Sequence, residues 1–271
     1  MKRATYYDER KRINNTFDKY GAVKKQMLAI AQKYRLRDRF TAGYRRIQTE
    51  LDHLGLHLAG DTVRRLMREL GIQVKIYNRH RHRKYSSYQG TVGRVVPNHL
   101  HQSFGATKPY QVCHTDVSQV RLANQTWAYL SVMTDEATKE VLACQISSHP
   151  NADLVSQTVD ELINNLPDAA HPLIHSDQGW HYQLPYYTRK LADHHFMQSM
   201  SRKGNCLDNA PVESFFHLLK VELLDDLPLC KDITEFQIMI KQYIHFFNYE
   251  RISLKTKGMT PVEYRNHALA A

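Results

Sequence analysis

The sequence predicts an α/β protein in two parts, a basic helical region followed by a mixed β-sheet with helices on its faces. Two observations support this prediction. Apolar residues recur at helical spacing up to about residue 74, whereas from residue 110 they form short β-prone runs between amphipathic helices. The first 100 of the 271 residues contain 23 Lys and Arg against 8 Asp and Glu, a net charge of +15, whereas the remainder carries −5. This asymmetry indicates that the first part binds nucleic acid.

The composition excludes other classes of protein. The mean hydropathy is −0.55, and no apolar run reaches the roughly 18 residues that a transmembrane helix requires. The charged residues 1–9 lack the apolar core of a signal peptide. The four cysteines include no Cys-x-x-Cys pair, which favours a reduced, cytoplasmic chain without membrane association.

Three helices are predicted in the first part. Residues 22–34 and 41–55 carry apolar stripes, and residues 60–71 follow after a short turn. Gly55 and Gly71 are good C-terminal stops for the second and third helices. Two short helices joined by a tight link indicate a helix-turn-helix, although a small basic helical hairpin without DNA binding has the same pattern. The DNA-binding residues predicted on the third helix are Arg64, Arg65 and Arg68.

A second basic segment, residues 75–94, has little apolar periodicity. Tyrosines interleave with its charges, which indicates a linker that follows a nucleic-acid backbone. His80 and His82 alternate with basic residues, but phosphate contacts are favoured over metal because no Cys or carboxylate accompanies them. The DNA-binding residues predicted in this arm are Lys75, Arg79, Arg81, Arg83 and Lys84.

The second part begins with three β-prone runs separated by short links, which indicate an antiparallel meander. The three runs are residues 110–120, 127–135 and 140–147. Helices at 151–166, 184–195 and 208–224 then alternate with strands at 171–177 and 196–201. The order βββαβαβα predicts a mixed sheet covered by helices.

Three carboxylates occupy unusual or exposed positions in these elements. Asp116 lies inside the first strand, Asp177 follows the fourth strand, and Glu213 lies on the last helix. Because Asp has a low propensity for strands, its presence at residue 116 indicates a special role. At 100° per residue, Asn209 and Lys220 share the helix face of Glu213. A role in contacting DNA or in supporting the metal ligands is therefore predicted for both.

Three carboxylates from two strands and a helix are the ligands that a pair of Mg²⁺ ions requires. Hard cations prefer oxygen ligands, and two ions about 3.5–4 Å apart can act on the attacking and leaving oxygens of a phosphodiester. The sequence therefore predicts two Mg²⁺ ions, replaceable by Mn²⁺, at Asp116, Asp177 and Glu213. Any one of these residues alone would be interpreted as an ordinary surface carboxylate.

Aromatic residues near the carboxylates are open to two interpretations. His175 and His181 flank Asp177 and either contact DNA or pack locally, and Trp180 either stacks on a base or wedges its loop. His114 is expected on the face of its strand opposite Asp116, so no role follows for it.

With these motifs, the chain resembles the second-reading-frame transposases of the IS-three family of insertion sequences. Thirty-five residues separate Asp177 from Glu213, the spacing of that group's Asp-Asp-(35)-Glu triad. The flanking segments also agree: HTDVSQ surrounds Asp116, HSDQGWHY surrounds Asp177, and SRKGNCLDNAPVESFFHLLKVE surrounds Glu213. Lys220 lies seven residues beyond Glu213, where the family has a basic residue. The resemblance covers residues 40–265.

The resemblance implies an RNase H-like catalytic core and a reaction on DNA. Such enzymes nick DNA at terminal inverted repeats, and the freed 3′-hydroxyl attacks a second phosphodiester. No covalent protein–DNA intermediate is implied, so no Ser or Tyr nucleophile is required. The expected partners are the inverted repeats, target DNA and further copies of the chain on DNA. The protein is expected in the cytoplasm, at the bacterial nucleoid. The family also implies a frameshift fusion with an upstream helix-turn-helix protein.

The predicted organisation has four segments: a helix-turn-helix region at 1–74, a basic linker at 75–105, the catalytic core at 106–225 and a C-terminal helical segment at 226–271. The alternative function is a sequence-specific repressor with an inactive RNase H-like scaffold, which loss of a triad carboxylate would favour. A cellular RNase H or a Holliday-junction nuclease is a third interpretation, against which the basic helical region argues.

Overall fold

The structure is a computed structural model that describes residues 18–74, 94–202, 206–225 and 227–270. The chain divides into two compact units, Met1–Lys75 and Ile76–Ala271. Within the described residues, no helix is both long and apolar enough to cross a membrane.

In its described residues, 18–74, the first unit has three helices and a small hairpin. In chain order these are α1 (Gly21–Lys33), β1 (Arg35–Leu36), β2 (Arg39–Phe40), α2 (Tyr44–His53) and α3 (Gly60–Glu69). The three helices confirm the sequence prediction. The hairpin was not predicted, because strands of two residues are too short to show an alternating pattern. Its two-residue turn places Arg37 and Asp38 at φ of 44° and 64°, the positive values that such tight hairpins require.

The ends of α2 and α3 follow from the two glycines predicted to stop them. Gly55 and Gly71 have φ of 74° and 67°, a conformation that costs glycine little because it lacks a Cβ. The next residue after each glycine donates its N–H back to a carbonyl in the last helical turn, at 2.9 Å in both cases. Each helix therefore ends in a Schellman motif. The apolar stripes of the three helices form the buried core of this unit.

The second unit is built on a five-stranded mixed sheet with the strand order β5-β4-β3-β6-β7. The strands are β3 (Val112–Arg121), β4 (Trp127–Asp135), β5 (Val141–Ser147), β6 (Leu173–Ser176) and β7 (Met197–Met200). The first three pair antiparallel, whereas β6 pairs parallel to β3 and β7 pairs parallel to β6. The predicted meander and the predicted mixed sheet are both confirmed.

Helices accompany this sheet in the predicted alternation. They are α4 (Ala152–Asn165), α5 (Pro185–Asp193), α6 (Ala210–Leu219), α7 (Ile233–Tyr249) and α8 (Pro261–Ala270). The helix predicted at 208–224 is shorter than expected. A 3₁₀ turn, Cys206–Asn209, precedes α6, and a π-helical turn, Lys220–Leu224, follows it. Pro211 fits in the first turn of α6 because it has no N–H to donate there.

Apolar contacts join the helices to the sheet and to each other. Residues of α4 and α5 pack with Cys113, Met133 and Ile174 of the sheet in one cluster. On α6, Phe215 contacts Phe247 of α7 edge to face, with ring centroids 5.1 Å apart. Aromatic pairs in this geometry stabilise a core beyond the area that they bury. Consequently, α6 carries Glu213 on a helix whose opposite face is anchored in apolar contacts.

The last two helices belong to the same compact unit as the sheet. The Asn248 side chain accepts from Val141 N at 3.0 Å and donates to Val141 O at 2.9 Å, so α7 is bonded to the edge strand β5. Arg251 and Glu222 form a buried ion pair, with Nη2 and Oε1 2.8 Å apart. Arg265 of α8 bonds Glu140 at 2.7 Å. The segment predicted at 226–271 is helical and packs on the sheet.

The stretch before β3 is also bonded to this unit. His99 N donates to Ser199 Oγ at 2.9 Å, Asn98 Nδ2 donates to Asp208 Oδ2 at 3.1 Å, and Ala106 N donates to Glu136 Oε1 at 2.9 Å. The predicted linker, residues 75–105, therefore ends earlier than expected, because its last part is packed against the sheet.

Candidate active site

Asp116, Asp177 and Glu213 reach the site from three elements. Asp116 lies in β3, Asp177 directly follows the neighbouring parallel strand β6, and Glu213 lies in the first turn of α6, which packs against β3 and β4. The parallel register pairs His114 of β3 with His175 of β6, so two residues further on Asp116 comes beside Asp177. The glutamate approaches them from the helix.

The three carboxyl groups interact electrostatically. Burial, followed by the charges of Asp177 and Glu213, raises the pKa of Asp116 from 3.8 to about 8. Burial raises the pKa of Asp177, and burial together with the charge of Asp177 raises the pKa of Glu213. Three anions in a poorly solvated site repel one another, and a bound cation would relieve that repulsion.

The hydrogen bonds of the triad leave oxygens open. Asp116 Oδ1 accepts from Val117 N and Asp177 Oδ1 accepts from Gly179 N, both at 2.8 Å. From the part of the chain that the structure describes, no hydrogen bond reaches the other oxygen of either aspartate or the carboxylate of Glu213. Free carboxylate oxygens are the donors that Mg²⁺ and Mn²⁺ prefer, so this donor set fits a hard divalent cation.

The three carboxylates stand too far apart to form a closed ligand set. Among the residues that the structure describes, no three His, Cys, Asp or Glu side chains are close enough to hold one ion. Neutralisation by a cation would allow the side chains to approach. No described residue forms a hydrogen bond with the Glu213 carboxylate, so no such bond opposes its movement toward a cation.

Gly179 explains part of the motif around Asp177. A Cβ atom at this position would lie 3.0 Å from Asp177 Oδ1 and 3.0 Å from Cε1 of His181. The φ of Gly179 is −56°, so the requirement for glycine arises from close approach and not from backbone strain. The glycine therefore allows its own N–H and the His181 ring to enclose one oxygen of Asp177.

The two histidines that flank Asp177 pack within the protein. His175 is fully buried, and its Nδ1 lies 2.9 Å from Ser199 Oγ. Burial is the main cause that lowers its pKa to about 4, and burial also lowers the pKa of His181 to about 4. Trp180 is half-buried, and its ring lies edge to face with that of His181, with centroids 5.5 Å apart. These contacts favour local packing over DNA contact for the histidines.

Asn209 does not occupy the position predicted for it. It precedes α6 instead of continuing the face of Glu213, and its side chain is buried. Its Nδ2 donates to the carbonyl of Thr115 at 3.0 Å, and its Oδ1 lies 3.0 Å from Nδ1 of His114. The structure thus gives this amide protein partners on the strand of Asp116, which favours the second of the two roles predicted for it, support of the metal ligands, over a DNA contact. Lys220, by contrast, is half-buried and faces the site, where its charge acts to lower the pKa of Asp116.

His114 and Asp208 are two residues whose positions were not foreseen. The expectation that His114 faces away from Asp116 is wrong, because side chains two residues apart in a strand share a face. Asp208 is fully buried and accepts hydrogen bonds from Arg202, Asn98 and Gln102. The bonds from Arg202 foremost hold the pKa of Asp208 well below its usual range. The two-residue alternation of side chains along a strand would have placed His114 on the face of Asp116, but no local pattern identifies the partners of Asp208.

In the first unit, the three predicted arginines lie on the exposed side of α3, opposite its buried stripe. Arg64 pairs with Asp61 and stands over the ring of Tyr44, 4.0 Å from its centroid. Arg65 pairs with Glu69 at 2.7 Å. The other five predicted basic residues lie outside the described residues: Lys75, Arg79, Arg81, Arg83 and Lys84.

Models of known protein families match residues in both compact units. The family model described as "Integrase core domain" matches residues 106–206, and a second model with that description matches residues 213–269. A model described as "HTH-like domain" matches residues 22–80. The two integrase matches include all three triad residues.

Two transposases align with nearly the whole chain. It is 40% identical to the putative transposase InsK for insertion sequence element IS150 of Escherichia coli, over 97% of this chain and 89% of that protein. It is 34% identical to the probable transposase for insertion sequence element IS1353 of Shigella flexneri, over 98% of this chain and 50% of that protein. A solved structure of the HTLV-2 integrase catalytic core domain with magnesium matches with a TM-score of 0.43 and 17% identity, over 58% of this chain and 96% of that one. The chain belongs to the insertion-sequence transposases that have an HTH-like domain and an integrase core domain.

Proposed function

We propose that this transposase uses Asp116, Asp177 and Glu213 to cleave DNA strands at the ends of an insertion sequence and to transfer them into target DNA. The observation that carries the proposal is that three carboxylates from β3, the end of β6 and α6 have raised pKa values, partly through each other's charge, and oxygens without hydrogen bonds. Such a site is unfavourable in isolation and becomes favourable with divalent cations. We assign it two Mg²⁺ ions, with Mn²⁺ as a substitute.

Each of four residues has a separate role in this proposal. Two bound cations would polarise the attacking oxygen and stabilise the leaving oxygen of the phosphodiester. Asp116 and Asp177 are oriented by backbone N–H groups, which leaves one oxygen of each for a cation. Glu213 completes the ligand set from α6. Lys220 is assigned the attraction of a DNA phosphate to the same site, and the effect of its charge on Asp116 supports this role.

DNA recognition is assigned to the first unit. Exposed arginines on the last helix of a helix-turn-helix can contact base edges or phosphates in the major groove. We assign this role to Arg64, Arg65 and Arg68. The basic arm is assigned contacts along the DNA backbone through Lys75, Arg79, Arg81, Arg83 and Lys84, because a run of such charges displaces counterions.

The assembly expected on DNA contains more than one copy of the chain. An insertion sequence has two ends, and joining both of them to one target requires two active sites. A fused product with an upstream helix-turn-helix protein is also part of the proposal. Its support is the Shigella flexneri relative, since 98% of this chain aligns with only half of that protein. We expect the protein to act at the bacterial nucleoid.

The test is a strand-nicking and strand-transfer assay on labelled duplexes that carry the ends of the element. The ends are read from the DNA that flanks the gene. Mg²⁺ should support 3′-end cleavage and joining to target DNA, and an RNA–DNA hybrid of the same sequence should remain uncut. Specific DNA binding without any nicking, under conditions in which the protein is folded, would favour the alternative of a repressor with an inactive scaffold.

A further inference from the structure

A continuous set of buried hydrogen bonds connects the start of α6, the helix of Glu213, to β3, the strand of Asp116. Asn209 is the residue immediately before α6, and Glu213 lies four residues further on, in the first turn. Nδ2 of Asn209 donates to the carbonyl of Thr115 at 3.0 Å. Thr115 is the neighbour of Asp116 in β3. One amide therefore spans the two elements that carry two of the three carboxylates.

The partners of Asn209 fix the orientation of its amide. The Thr115 carbonyl can only accept, so it must face the NH₂ group, and Oδ1 then accepts from Nδ1 of His114 at 3.0 Å. Nε2 of His114 lies 2.7 Å from Oε2 of Glu136. The other oxygen of Glu136 accepts from Ala106 N at 2.9 Å. The result is an ordered series of bonds from Ala106 through Glu136 and His114 to Asn209.

All three side chains of this series are shielded from water. The exposed fractions are 0% for His114, 2% for Glu136 and 3% for Asn209. Buried polar groups that all have partners fix one geometry, since any displacement leaves a donor or acceptor unsatisfied. Water cannot substitute for the missing partner as it would at the surface. The set therefore restrains the backbone at residue 209 more strongly than a single exposed bond would.

Besides Asn209, the start of α6 is held by Asp208, which accepts hydrogen bonds from Arg202, Asn98 and Gln102. No side-chain hydrogen bond caps the helix, and Pro211 in its first turn has no N–H to donate. Apolar contacts of α6 fix its opposite face, but they tolerate small sliding along the helix axis more readily than directional bonds do. The position of Glu213 along that axis thus depends on how residues 208 and 209 are held.

We propose that Asn209 is a positioning residue that sets the location of Glu213 relative to Asp116, with His114 and Glu136 holding its amide in place. This inference rests on the proposed roles of Asp116 and Glu213 in strand cleavage. Of the two roles predicted for Asn209 from the sequence, it favours support of the metal ligands over a DNA contact. Both hydrogen bonds of the Asn209 amide go to the protein, so its effect on the reaction acts through Glu213.

The test compares Asn209→Ala with a matched control, Asn248→Ala. Both variants lose a buried asparagine whose amide makes two hydrogen bonds, but Asn248 joins α7 to β5 instead of α6 to β3. Thermal unfolding should show a similar loss of stability in the two proteins. Single-turnover strand cleavage at saturating DNA should fall at least tenfold in Asn209→Ala and stay within twofold of the parent in Asn248→Ala.

Two further readouts separate positioning from other roles. The affinity of Asn209→Ala for end DNA should stay within twofold of the parent, whereas the Mn²⁺ concentration that gives half the maximal rate should rise. Asn209→Asp should be slower than Asn209→Ala, because it places a carboxylate oxygen against the Thr115 carbonyl. Glu136→Gln should lose less activity than either, since His114 can still donate to Asn209.

The outcomes decide between the inferences. A parent protein without metal-dependent nicking, or with activity unchanged by Asp116→Asn, would reject the proposed function itself. With an active parent and an inactive Asp116→Asn, a cleavage rate within twofold of the parent in Asn209→Ala would reject the positioning role. If Asn209→Ala binds DNA more weakly but cleaves at the parent rate at saturating DNA, Asn209 is a DNA contact and the positioning role is also rejected. If Asn209→Ala does not fold, Asn209→Ser takes its place with the same expected results.

Discussion

At the scale of the residue, the triad is governed by charge. Asp116, Asp177 and Glu213 each supply a carboxylate, and replacement by the matching amide removes that charge with little change of volume. Asp116→Asn, Asp177→Asn and Glu213→Gln should each reduce strand cleavage and transfer by more than about a hundredfold, the scale seen when one group that stabilises transition-state charge is lost. Binding to end DNA, measured by mobility shift, should change by less than about threefold. Near-normal transfer in any one variant would remove that residue from the site.

The raised pKa of Asp116 gives a prediction about stability. Its pKa is about 8 in the folded protein against 3.8 ordinarily, so its ionised form is disfavoured by folding, and the free energy of unfolding falls as the pH rises from about 4 to 8. Asp116→Asn removes this effect. In EDTA it should unfold at a higher temperature than the parent, with a larger difference at pH 8 than at pH 5.

The control for this measurement is Asp193→Asn, an exposed carboxyl at the end of α5. Thermal unfolding of the control should differ from the parent by a similar amount at both pH values. If Asp116→Asn raises the unfolding temperature equally at pH 5 and pH 8, burial and the neighbouring charges do not raise the pKa of Asp116 as described.

The same charge repulsion predicts how metal acts. Mg²⁺ or Mn²⁺ should support cleavage and raise the unfolding temperature of the parent, more at pH 8 than at pH 6, because protons compete with the cation for Asp116. Ca²⁺ should support DNA binding with little cleavage. The thermal shift should be largely lost in Asp116→Asn. Full turnover in EDTA would overturn the metal-dependent mechanism.

At the scale of the element, the loop after β6 holds Asp177 through a glycine. Gly179→Ala would place a Cβ 3.0 Å from both the Asp177 carboxylate and the His181 ring, a separation that forces one of them to move. Cleavage should fall about tenfold or more, since catalytic groups must be held within about 0.5 Å of their productive geometry. Gly105→Ala is the matched control, because no atom lies within 4 Å of its Cβ and its φ is not in the left-handed region. Equal activity of the two variants would show that the loop accommodates the extra methyl group.

The elements also show where sequence reasoning succeeded. Strands β3 to β7 and helices α1 to α6 were identified because their apolar periodicity reports which face is buried, and burial is what stabilises them. The triad was singled out by its positions on two strands and a helix, and the resemblance in spacing and flanking segments then supported it. Asn209 was misplaced because α6 begins at Ala210, so the regular helical angle does not extend to it. Its bond partners lie 94 and 95 residues away in the sequence, and no local pattern encodes such a pairing.

At the scale of the whole molecule, the proposed function assigns recognition to one compact unit and chemistry to the other. The basic surface of α3 belongs to Met1–Lys75, and the triad belongs to Ile76–Ala271. If binding and catalysis are separable in this way, variants in one unit should leave the function of the other intact. The triad variants test one direction, and the arginines of α3 test the other.

The triple variant Arg64→Ala, Arg65→Ala and Arg68→Ala should weaken DNA binding and leave the cleavage rate at saturating DNA within about twofold of the parent. The helix should persist, because its buried face is formed by Val63, Leu66 and Met67. An arginine that reads a base should cost about 1–3 kcal/mol of affinity for the end sequence alone. An arginine that contacts phosphate should weaken all DNA binding and reduce the salt dependence by about one unit of slope. Affinities for end DNA and random DNA at several salt concentrations distinguish the two contributions. Equal binding by parent and variant to both DNAs at every salt would mean that α3 does not face DNA, and would transfer the recognition role to the arm of residues 75–94.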